Sequence, residues 1–257
     1  LVGSEMCIRD RVPLAQIAKT LQQGVVAIED RRFLEHQGVD IEGMSRAILS
    51  NLAGNDLQGA STLTQQYVKN LLIEQGRVAG NPDMIEAASE ATLERKAREA
   101  KLAMSLEQKM NKSEILEGYL NIAQFGPSVY GVEAAAQHYF SKPAKDLSLA
   151  ESALLAGIPQ SPNGHDPIAH PESATKRQGL VLDAMARDGY ITPEQAQKAK
   201  SIPVSQLLHV SNQQQGCGLA GKPRAFAPGW WGKSCPPQSL VPPMRNANVC
   251  CCAAGST

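Results

Sequence analysis

Along residues 12 to about 206, apolar side chains recur three and four positions apart among Ala, Glu, Lys and Gln, and no stretch shows the two-residue alternation of a strand. The pattern predicts an all-α chain. Asn111 with Glu114, Ser148 with Glu151, and Thr192 with Pro193 and Gln195 each pair an N-cap residue with a partner three positions on, so helices are expected to begin near 112, 149 and 193. Gly157 and Pro159 stop the second of these, and Gly126 with Pro127 marks a turn. Another helix is expected from about Thr62. Residues 74 to 91 hold two glycines and a proline, which predicts an exposed loop entering a helix at Pro82 or Asp83. A long helix over roughly 91 to 110 follows, with Arg95, Glu99 and Leu102 on one side.

Within 112 to 121, Ile115, Leu116, Tyr119 and Leu120 repeat as a buried face, leaving Glu117 and Asn121 to brace a cleft. Between 40 and 57, Ile41, Met44, Ala47, Ile48 and Leu52 fall at approximate helical spacing and predict core packing. Residues 27 to 38, AIEDRRFLEHQG, concentrate acids, arginines, a ring and an imidazole behind an apolar run. If the upstream helix continues through them, Glu29, Arg32, Phe33 and His36 share one stripe facing a cleft.

Both ends of the chain read differently from its middle. The run Met6 to Arg11 resembles the translated end of a sequencing adaptor, so residues 1 to 11 are set apart and the natural chain is expected to begin further upstream. After 206, prolines, both tryptophans and a cysteine triplet appear without periodicity, as in a linker, a disordered tail or a shifted frame. Cys250 to Cys252 have no spaced Cys or His partners, so no metal site is expected there. Residues 12 to 206 are left as the working domain.

Charge and cysteine usage narrow what that domain does. Twenty-five basic and 25 acidic residues cancel, which removes electrostatic support for nucleic-acid binding. Residues 8 to 216 contain no cysteine, excluding a thiolate nucleophile and fitting an oxidising compartment. No run approaches the roughly 18 apolar residues of a membrane span, and no signal peptide is visible.

Five segments, in order, are EDRRFLEHQG at 29 to 38, GASTLTQQYVKN at 59 to 70, RKARE at 95 to 99, KSEILEGYLN at 112 to 121 and YFSKPAKDLSLAESALLAGIPQSP at 139 to 162. Together they resemble the peptidoglycan glycosyltransferases, glycosyltransferase family 51, the polymerising domain of class A penicillin-binding proteins. Some stretches look most like actinobacterial members. The resemblance implies a lysozyme-like, two-lobed helical domain with a central cleft. It also implies a reaction that polymerises lipid II into β-1,4-linked glycan strands with inversion, releasing undecaprenyl pyrophosphate. Such a displacement needs a base at the attacking hydroxyl and cations at the leaving pyrophosphate.

On that resemblance Glu29 is the general base, with Asp30 as the neighbour that tunes it. Phe33 and His36 are expected to shape the substrate cleft, although a core ring and a hydrogen-bonded structural histidine are the plain readings of each alone. Ser61, Thr62, Gln65 and Gln66 offer hydrogen bonds to sugar and phosphate, while a polar N-cap is the plain reading of the same segment. Lys69 and Asn70 are placed by the donor pyrophosphate. Arg95 and Lys96 form a cationic clamp, and Glu99 is a second catalytic carboxylate that orients them; Glu99 as base is the alternative assignment. Lys142 and Gln160 are read as structural, and Ser141 stands where the motif usually has glycine.

No cofactor is required on this reading, with a divalent cation admitted at the pyrophosphate. The implied partners are lipid II, the growing lipid-linked glycan, the membrane surface, a transpeptidase domain and cell-wall assembly proteins. The implied location is the outer face of the cytoplasmic membrane, with an anchor outside this chain. Two alternatives remain open: a lysozyme-like hydrolase or lytic transglycosylase, and a non-catalytic glycan- or lipid-binding module. A hydrolase shares the paired carboxylates but has no need for the cations.

Overall fold

The structure is a computed structural model that describes residues 11–43 and 61–210. Among these residues the regular elements are helices, and the single β-type pairing is an isolated antiparallel bridge between Gln124 and Tyr130. Three helices begin where their caps predict: α5 (Lys112–Ile122), α7 (Leu149–Gly157) and α9 (Pro193–Lys200). In each, the cap side chain accepts the N3 backbone N–H while the N3 side chain accepts the cap N–H, satisfying two donors the helix leaves open. The helix α2 (Leu63–Val78) starts with the same device, between Thr62 and Gln65.

Helices α1 (Lys19–Glu29), α7, α8 (Pro171–Arg187) and α9 pack together as one group. Helix α2 gathers α3 (Pro82–Ser89), α4 (Leu93–Glu107) and α5 as the other, and α6 (Val132–Phe140) packs on α5. Gly24 makes the first group tight, because a β-carbon there would sit 3.2 Å from Ala156 Cβ and 3.4 Å from Met185 Sδ. One core runs through both groups, including Leu21 and Val25 of α1, Leu63 of α2, Tyr119 of α5, Leu155 of α7 and Val181 of α8. Burying side chains of this size contributes about 1.5–3 kcal/mol each. No helix among the described residues is long and apolar enough to cross a membrane.

Four expectations change. The helix entering residues 27 to 38 ends at Glu29: Asp30 leaves helical space at φ −155°, and turns follow. The proposed stripe therefore does not form. Helix α2 runs through the expected loop to Val78, with Gly76 inside it, because a β-carbon there would lie 2.8 Å from Ile85 Cγ1 of α3. Close packing of two helices, not a loop, explains that glycine. Glu117 and Asn121 brace the start of the chain, accepting Leu14 N–H at 2.8 Å and Val12 N–H at 2.9 Å, with Asn121 Nδ2 returning a bond to Val12 O at 2.9 Å. Ile41 is 78% exposed, and the rest of its stripe, from Met44 onward, lies outside the described residues with Gly59.

Candidate active site

A cleft of about 1140 Å³ lies where the end of α1, the first half of α2, the start of α4 and α8 from Arg177 onward meet. Glu29, the last residue of α1, enters it with its side chain 9% exposed. Each of its oxygens is held. Oε1 accepts from Arg177 Nη2 at 3.0 Å and Oε2 from Gln66 Nε2 at 3.0 Å. The Gln66 amide is oriented from behind by the Tyr119 hydroxyl, which donates to Gln66 Oε1 at 3.1 Å. Burial, reinforced by the nearby Glu29 charge, pushes the Tyr119 phenol well above its usual range, so it remains a donor.

Lys69, Arg95 and Lys96 also line the cleft, with Ser61 and Asn70 beside them. Glu99 gathers two of these cations: it accepts from Arg95 Nη1 and faces Lys96 Nζ at 3.3 Å, with its own side chain 2% exposed. Lys96 Nζ also donates to Ser61 Oγ at 2.5 Å. Burial pushes the Lys69 ammonium below its usual range, and the Arg95 charge adds to this, then Lys96, while Glu99 opposes it. Three cations crowded at one wall form a site that an anion would relieve.

The other expected site residues divide by where their side chains go. Asp30 borders the cleft, yet its carboxylate accepts the Leu63 N–H at 2.9 Å and lies 2.8 Å from His36 Nε2. It therefore fastens α1 to the start of α2. Phe33 is a core ring, 1% exposed, and His36 lies beneath Asp30 with its side chain 7% exposed; neither lines the cleft. Both follow the plain readings, because the chain turns at Asp30 and carries them under the cleft floor. Thr62 and Gln65 touch the cleft, but their mutual capping bonds and the Thr62 Oγ1 bond to Gly38 O at 2.7 Å occupy them structurally. Lys142 pairs with Glu151 at 2.8 Å as a structural bridge, whereas Gln160 lines the cleft and meets His165 Nε2 at 3.2 Å.

Arg177 lies outside the five segments, and it is the charged partner of Glu29. Its signal is nonetheless present: it falls three after Ala174 and four before Val181, on the stripe that buries Ala174, Gln178, Val181 and Met185. A cation on an apolar stripe needs a partner.

A helical cleft that sets a clamped carboxylate against a wall of cations can join proton transfer to the binding of an anion. The profile of the family described as Transglycosylase matches residues 4–186. The chain belongs to the transglycosylase family. Penicillin-binding protein 1A of Streptococcus oralis is 46% identical over 208 residues, covering 80% of this chain and 31% of its own length. Penicillin-binding protein 1A of Aquifex aeolicus (strain VF5) is 43% identical over 195 residues, covering 76% and 25%. Penicillin-binding protein 1F of Bacillus subtilis (strain 168) is 36% identical over 208 residues, covering 80% and 27%. The chain thus spans less than a third of these relatives. A crystal structure of penicillin-binding protein 1A from Haemophilus influenzae overlaps 41% of this chain and 16% of its own at 36% identity, with a TM-score of 0.38, too partial to bear on the fold.

Proposed function

We propose that the chain is a peptidoglycan glycosyltransferase that polymerises lipid II into β-1,4-linked glycan. The supporting observation is one cleft holding Glu29, clamped on both oxygens, together with Lys69, Arg95 and Lys96. Glu29 takes the proton of the acceptor 4-hydroxyl as that oxygen bonds the donor's anomeric carbon from the face opposite the leaving group. The bond from that carbon to the pyrophosphate oxygen breaks, the centre inverts, and undecaprenyl pyrophosphate departs. Lys69, Arg95 and Lys96 meet the charge that gathers on it. Asn70 and Ser61 border the same wall and supply polar contacts to the donor.

Glu99 is the orienter of the cations in this reading. Its carboxylate is already committed to Arg95 and Lys96, and a hydrolase has no need of such a cationic wall, which disfavours the lysozyme-like alternative. Asp30 is equally committed, to Leu63 and His36. No cofactor is required in this reading, and a divalent cation bridging the pyrophosphate, held by its oxygens and one carboxylate, is compatible with it.

We place the reaction at the outer face of the cytoplasmic membrane, where the lipid carriers of donor and acceptor lie. The greater length of the relatives leaves room for an anchor and for a transpeptidase domain working on the same glycan. Incubation with labelled lipid II tests the activity. Wild-type chain should yield glycan polymer, and Glu29→Gln should slow it about 10²–10⁴-fold, the usual worth of a general base. Shortening of pre-made glycan would point to a hydrolase, and binding without turnover to a non-catalytic module.

A further inference from the structure

We propose that Arg177 is the positioning residue for Glu29, and that Gly157 is what gives it room to act. This rests on Glu29 being the base. Arg177 rises from α8, 148 residues away in the chain, and places Nη2 3.0 Å from Glu29 Oε1. Its own side chain is only 13% exposed. The guanidinium is held at a second point, where Nε donates to the Gly157 carbonyl at 3.3 Å. Its stem lies flat on the end of α7, and a β-carbon at Gly157 would come within 2.7 Å of Arg177 Cγ.

Glu29 is the last residue of α1, so no following helical turn helps to fix its side chain. Arg177 and Gln66 supply that constraint from opposite sides, one on each oxygen. A carboxylate offers about four lone-pair directions, so each oxygen keeps one for the incoming hydroxyl while the plane is locked. The guanidinium also balances a charge that would be costly to bury alone. Arg177 touches neither transferred proton nor leaving group; its part is to aim the base.

Steady-state lipid II polymerisation by the 257-residue chain, with thermal unfolding in parallel, tests this. Arg177→Met should lower kcat about 100-fold, as misplacement of a reacting group by about an ångström does, while KM stays within about threefold. Arg177→Lys, which keeps the charge, should recover about tenfold of that loss. Gly157→Ala keeps Arg177 but displaces its stem, and should lower kcat with an unfolding midpoint close to wild type. Glu29→Gln serves as the reference. The inference falls if Arg177→Met retains wild-type kcat while Glu29→Gln is inactive, if the loss appears in KM alone, or if Lys restores nothing. If Glu29→Gln itself polymerises normally, the base assignment falls first and this role falls with it.

Discussion

Replacing Asp30 with alanine should cost the fold more than the chemistry. The carboxylate is 6% exposed and accepts the Leu63 N–H at 2.9 Å, one of the donors that α2 leaves open at its first turn, and it is 2.8 Å from His36 Nε2. Asp30→Ala strands both donors in a dry site, at about 1–3 kcal/mol each. It also removes a negative charge from a helix N-terminus, worth about 0.3–1 kcal/mol. Relief from desolvating the carboxylate offsets part of this, leaving a net loss of about 3 kcal/mol, a large share of the roughly 5–15 kcal/mol that holds a domain together. Asp30→Asn keeps an acceptor for Leu63 and loses the charge, so about half that loss is expected. Urea unfolding at constant m-value reads both directly. A change below about 0.5 kcal/mol in Asp30→Ala, the range of ordinary surface substitutions, coupled with a raised KM for lipid II, would refute the fastening role and return Asp30 to substrate binding.

Burial and two neighbouring cations disfavour the Lys69 ammonium, so Lys69→Met should leave stability equal to or above wild type while lowering kcat/KM about 10–100-fold, read by thermal unfolding and polymerisation on the same preparations. Burial pushes the Glu151 carboxyl up, but Lys142 and the bonds from Ser148 outweigh it and hold the group below its usual 4.5. A depressed carboxylate adds stability above that value and loses it as pH falls through the folded-state value. Stability measured from pH 5 to 2 should therefore fall less steeply in Glu151→Gln than in wild type, over the window below 4.5. Ser141 caps α6 at φ 54° and donates to His209 O at 2.6 Å, so Ser141→Gly exchanges strain relief for a lost bond and should stay within about 1 kcal/mol of wild type. Ser141→Val keeps the strain, adds branching and loses the bond, and should cost about 2 kcal/mol or more by the same measurement.

What the chain spells locally, the structure carries out. Asn111 with Glu114, Ser148 with Glu151 and Thr192 with Gln195 meet across three positions, and a cap of that span needs no knowledge of the rest of the molecule. The cationic wall was legible for a related reason: Arg95, Lys96 and Glu99 share one helix, and only Lys69 joins from another. The failures are long-range. Asp30 breaks α1 because its partner is the backbone of Leu63, and no periodicity within 27 to 38 contains that bond. Gly76 looked like a loop residue because its reason, the side chain of Ile85, lies on another helix. Arg177 reaches Glu29 across 148 residues, and the trace left in the sequence was a charge on an apolar stripe.

The double attachment between α1 and α2 has a mechanical side. Asp30 ties the first N–H of α2 to the end of α1, and one turn further on Gln66 grips Glu29 itself. Glu29 and Lys69 therefore behave like the two jaws of a locked caliper. Arg95 and Lys96 are mounted on α4, which packs along α2 and is tied to it again where Thr64 Oγ1 donates to Glu107. The separation of base and first cation is thus set by α2 and its two ties to α1, whatever α4 does.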